Sequence, residues 1–151
     1  MGSITTAMPT SFKGELPQAI HNFTATSGHV FKAALIIPAP TGVYGAASTN
    51  YSNLTTDEVT GTGYTAGGFA WTAAQNITPA TSGTGAYWSW SVNPSWTSVT
   101  ISTGGCLFYN SSAGNRACYV GSFGGTETVT AGTFTILLPT NGVGTSVLQL
   151  N

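Results

Sequence analysis

Chemistry near neutral pH needs groups that move protons, attack carbon or hold metals, and this chain offers few. His21 and His29 are its two histidines. A general base needs an orienting partner, and the sequence adjoining each ring supplies no acid. Structural or solvent-exposed roles are therefore expected for both. Asp57 and Glu58 are adjacent carboxylates, whereas acid–base pairs work when two carboxyls sit in different environments across a substrate. Thr55-Thr56-Asp57-Glu58 instead fits a capping box, with Thr55 as N-cap and Glu58 at N3. Serines abound, but no GxSxG elbow anchors a hydrolase triad. Gly61-Thr62-Gly63-Tyr64-Thr65-Ala66-Gly67-Gly68 misses the spacing of a phosphate loop and has no following lysine. It reads as a bend leading into a strand.

Cys106 and Cys118 flank the segment Asn110–Arg116. If that segment is a hairpin connection centred on Ser112, the two face each other across adjacent strands. A cross-strand disulfide is then open to them, but a one-residue slip places them on opposite faces. The other reading is two buried thiols, which a reducing cytosol favours. Met1–Thr10 lacks the basic and apolar regions of a secretory signal, so cytosolic folding is expected. No CxxC or Cys/His cluster suggests zinc, and no cofactor is expected.

Charge narrows the partners. Three basic and four acidic side chains in 151 residues leave a net charge of −1; ordinary domains carry about a quarter charged residues. Lys13, Lys32 and Arg116 cannot neutralise a phosphate backbone, so nucleic acid is not an expected partner. No apolar run approaches the roughly 20 residues of a spanning helix. A polar surface with almost no field meets other neutral surfaces through hydrogen bonds and apolar contact, with little charge to desolvate.

The elements that would carry these groups are mostly strands. Residues 1–10 read as a flexible N-terminal arm, with apolar points at Ile4 and Met8, and residues 11–151 as a single domain. Ser11–Phe23 has helical spacing at Phe12, Leu16, Ala19, Ile20 and Phe23, but Gly14 and Pro17 limit it to a short or kinked helix. His29–Ile37 is apolar enough for a strand buried on both faces, and one helical turn is expected at Thr55–Val59. Strands are expected at Gly68–Ile77, Gly85–Val92, Ser98–Ser102, Gly105–Tyr109, Ala117–Phe123, Thr126–Thr130, Thr133–Leu138 and Ser146–Leu150. Turn clusters such as TPATSGTG and NSSAGN separate them. Short strands at regular intervals with Gly-rich turns indicate an all-β antiparallel sandwich or jelly roll.

Four tryptophans, six tyrosines and seven phenylalanines supply a large apolar area. On a strand, Trp88 and Trp90 share one face, which is either core or an exposed surface for sugar rings or another subunit. Asn-x-Ser/Thr sequons begin at Asn22, Asn50, Asn53, Asn76 and Asn110; in a chain so rich in these residues they are assigned no role.

SFKGELPQAIHNF (Ser11–Phe23), Phe31-Lys32-Ala33-Ala34-Leu35, EVTGTGYTAGG (Glu58–Gly68) and LFYNSSAGNRA (Leu107–Ala117) together resemble a family of small virion proteins of tailed bacteriophages. The resemblance runs in order along most of the chain and is weakest in residues 1–10 and 139–151. It implies a jelly-roll-like capsid decoration or cement protein, made in the host bacterial cytoplasm and placed on the virion. There it would bind the outer face of the major capsid protein as a homodimer or homotrimer. The expected contact residues are Ile4, Met8 and Phe12, with whichever of Trp88, Trp90 and Trp96 are exposed. Deleting residues 1–10 is expected to weaken attachment and leave the domain folded. The alternative is a tail-associated or glycan-binding module using exposed tryptophans. An enzyme is a third reading, disfavoured by the scarcity of titratable groups.

Overall fold

The computed structural model describes residues 1–150, in which nine strands and one short helix follow the β-branched and apolar runs of the sequence. In chain order they are β1 (Ser3–Ile4), α1 (Thr10–Glu15), β2 (Phe31–Ile36), β3 (Val43–Tyr44), β4 (Phe69–Ala70), β5 (Ala80–Ser82), β6 (Gly85–Trp88), β7 (Ser95–Asn110), β8 (Arg116–Thr135) and β9 (Leu148–Leu150). The fold is all-β, built mainly from antiparallel sheets. One sheet has the order β4-β2-β7-β8, a second β5-β6-β9, and β1 pairs with β3 in parallel.

β2 is apolar at every position but Lys32 because both of its faces are covered. Phe31, Ala33 and Leu35 join a core with Phe12, Trp88, Trp90, Phe108 and Leu148. Ala34 and Ile36 join a second cluster with Tyr44, Leu54, Leu107 and Val120. The strand expected at His29–Ile37 thus forms over Phe31–Ile36.

The largest departure from expectation is the β7–β8 hairpin. Five separate strands were expected between Ser98 and Leu138, yet two long ones form, of 16 and 20 residues. The Gly, Ser and Thr clusters that suggested breaks are register shifts, between Trp96 and Val99, Val99 and Ile101, and Thr103 and Gly105. Ser98 and Ala131 take the positive φ that such bulges allow. The helix expected over Ser11–Phe23 stops at Glu15, and a 3-10 turn (Leu16–Gln18) containing Pro17 follows. Ala19 in the left-handed region then reverses the chain.

Residues 1–10 are not a free arm. The Gly2, Ser3 and Thr5 N–H groups donate to the carbonyls of Pro40, Gly42 and Tyr44, and Ala7 exchanges two backbone bonds with Val120. Ile4 packs on the second core cluster. Gly105 makes room for it: a Cβ there would run into the Gly121 carbonyl oxygen and the Ile4 side chain.

Candidate functional site

The adjacent acids close loops. Asp57 is buried, and its carboxylate accepts from the Thr41 N–H at 3.0 Å, the Gly42 N–H at 2.8 Å and the Tyr44 hydroxyl at 2.7 Å. Burial alone would raise its pKa; the Thr41 and Gly42 donors outweigh it and leave the carboxyl below its ordinary range. Glu58 accepts from the Tyr51 and Tyr64 hydroxyls and the Gly67 N–H, at 2.6, 2.8 and 2.7 Å. Burial, helped by the Glu58 carboxylate, pushes the Tyr51 phenol up to about 12. The capping box expected at Thr55–Glu58 does not form. The 3-10 turn lies earlier, at Tyr51–Leu54, with Asn50 and Asn53 as its reciprocal caps, and Thr55 ends it.

One of the histidines, His21, has an acid after all. The Pro17 turn and the reversal at Ala19 bring His21 back onto Glu15, with Nε2 to Oε2 at 2.7 Å. Glu15 Oε1 also accepts from Arg116 at 2.6 Å, joining α1 to the start of β8. Asn110 Nδ2 lies 2.9 Å from both His21 Nδ1 and His29 Nδ1. Glu15 went unnoticed because six residues along an extended chain or helix would not return it to His21. The legible signal was the proline between them.

Cys118 Sγ approaches His21 Nδ1 at 3.9 Å, but a thiol activated by histidine must reach the thiolate. Burial, then the nearby Glu15 charge, push this thiol well above its ordinary value. No disulfide joins it to Cys106; both are buried free thiols. The hairpin is not centred on Ser112: Cys106 pairs with Gly121, and Cys118 falls at the shift between the Phe108–Tyr119 and Tyr109–Ala117 pairs. Among the described residues no group of three or more His, Cys, Asp or Glu side chains could hold a metal ion, and no helix is long and apolar enough to cross a membrane.

The expected contact residues lie inside the fold. Phe12 is fully buried, and Trp88, Trp90 and Trp96 are 3%, 3% and 8% exposed. Ile4 and Met8 are half-buried against the core. Trp88 and Trp90 do share a face, as strand alternation requires, and that face is core: Phe23 packs on both rings.

An open groove with apolar side chains lies elsewhere, where residues 136–147 pass beside the β7–β8 hairpin. A groove of about 410 Å³ is lined there by Phe108, Tyr119, Phe123, Phe134, Ile136 and Leu138. Leu137, on the same groove, is 78% exposed. The one nearby charge is Glu127. β8 is the edge strand of its sheet, and residues 124–128 are exposed without interruption. Such a groove can seat apolar side chains of a neighbour, and with Glu127 as its one charge it leaves little to desolvate. Sequence reading missed it because Phe134, Ile136 and Leu138 alternate as any core-facing strand does, and Phe123 stands in a separate expected strand.

Comparison with protein-family models, with curated proteins and with solved structures gives no match.

Proposed function

We propose that this chain is a non-enzymatic structural subunit of a tailed-phage virion, binding the outer face of the major capsid protein as a decoration or cement protein. The carrying observation is the apolar groove beside exposed Leu137 on a molecule with seven charged side chains. A subunit repeated over a shell needs only a modest neutral contact at each copy, because many such contacts act together. The contact residues are the groove and Leu137, replacing the buried tryptophans and Phe12. Glu15, Asp57, Glu58, the histidines and the thiols support the same reading, since each is engaged inside the fold.

We read the fold as a sandwich in which β6 and β9 pack through Trp88 and Leu148 over one face of the four-stranded sheet. A glycan-binding module stacking sugars on tryptophan is less well supported, since Trp88, Trp90 and Trp96 are buried. Cryo-microscopy of the virion tests the proposal. Density for this chain on the head exterior is the expected result; density in the tail, or none, contradicts it.

A further inference from the structure

The buried cluster between the N-terminal segment and the turn of the long hairpin fixes its own protonation state. Asn110 is fully buried, and its Oδ1 accepts from the N–H groups of Ser112 and Ala113, at 3.1 and 3.2 Å. That orients the amide so that Nδ2, with two hydrogens, faces the rings of His21 and His29. Both Nδ1 atoms must therefore accept. The hydrogen of each neutral ring then sits on Nε2, and on His21 that atom donates to Glu15 at 2.7 Å. A further proton on His21 can go only to Nδ1, where it would confront the Asn110 amide hydrogens.

We infer that Glu15, His21, His29 and Asn110 form a proton-operated clasp that holds the segment between α1 and β2 against the β7–β8 turn when both rings are neutral. A proton on His21 opens it. The segment is otherwise tied to that turn through Val30, whose N–H donates to Ser112 Oγ and whose carbonyl accepts from Ser111. Five groups face His21: Glu15 from α1, His29 from the loop before β2, Asn110 from β7, and Arg116 and Cys118 from β8.

Burial lowers the His21 pKa below its ordinary 6.5, opposed by the hydrogen bond and charge of Glu15 and assisted by His29 and Arg116. A depressed folded value means that the clasp contributes in full above the unfolded pKa, about 6.5. The contribution is lost as pH falls through the lower folded value. The inference is independent of the groove and of what it binds.

Side-chain nitrogen NMR on the full chain, with hydrogen exchange across residues 19–30, tests it. At neutral pH both rings should show hydrogen on Nε2 and none on Nδ1. His21 should titrate below 6.5, and protection of residues 19–30, corrected for intrinsic exchange, should fall about tenfold or more as it does so. Asn110→Asp keeps the acceptor for Ser112 and Ala113 but sets an oxygen opposite both rings. His21 should then titrate above 6.5 and acid should raise protection. An Nδ1–H tautomer at either ring, or wild-type titration at or above 6.5 with protection unchanged, overturns the inference. Should Asn110→Asp fail to fold, the wild-type tautomers and titration decide alone.

Discussion

Trp71 and Trp90 stack with ring centroids 4.4 Å apart and planes 13° from parallel, and Phe108 stands edge-on to both. The Trp71 indole N–H donates to the Val92 carbonyl at 2.7 Å, which ties the stack to the loop after β6. Trp90→Ala should cost about 3–5 kcal/mol in urea unfolding, as expected for removing a large ring from a close-packed core. A loss below about 0.5 kcal/mol, typical of a surface site, would contradict the packing.

Asp57 holds the Thr41–Gly42 turn to the segment following Leu54. Asp57→Asn should cost about 1–3 kcal/mol, since one amide oxygen cannot replace a carboxylate accepting several donors. The folded carboxyl lies below its unfolded pKa, so its contribution is complete above about 3.9 and fades as pH falls through the folded value. Thermal melts across acidic pH should show wild type losing stability more steeply than the asparagine variant. Parallel curves would rule this role out.

Cys106 and Cys118 are both fully enclosed, and burial pushes the Cys106 thiol up to about 12. The native chain should therefore react with a disulfide reagent at neither thiol, and at both after denaturation. Intact mass should show two free thiols even after air oxidation. Rapid labelling of the folded chain would contradict the burial.

The N-terminal ten residues are part of the folded unit. Deleting residues 1–8 removes the β1–β3 pairing, both Ala7–Val120 bonds and the Ile4 contact. Offset by the regained chain entropy, the loss should be about 1–3 kcal/mol. A truncated chain with an unchanged urea midpoint would restore the flexible-arm reading.

How much of this was legible in the sequence depended on the range of the interactions. The β2 run declared itself because a strand covered on both faces must be apolar at successive positions. The tryptophan alternation was legible too, but alternation does not distinguish a face covered by a second sheet from one facing solvent. Ser98, Gly104 and Ala131 looked like strand ends; a bulge uses the same small residues as a turn, and only the partner strand distinguishes them. A turn centred on Ala113, with the one shift between Phe108 and Tyr109, set the register there and parted Cys106 from Cys118. The Glu15–Arg116 and His21–Asn110 contacts span 101 and 89 residues. No local pattern encodes such pairs.

In the proposed function the molecule acts by contact through the groove at Leu137. The most direct measurement is cosedimentation of purified wild type and Leu137→Asp with the tailed-phage capsid shells proposed as its partner. Wild type should pellet with the shells. Leu137→Asp should bind at least about tenfold more weakly while its unfolding free energy in urea stays within about 0.5 kcal/mol of wild type, because the residue is exposed. Equal pelleting of the two chains, or no pelleting of wild type, would contradict the account.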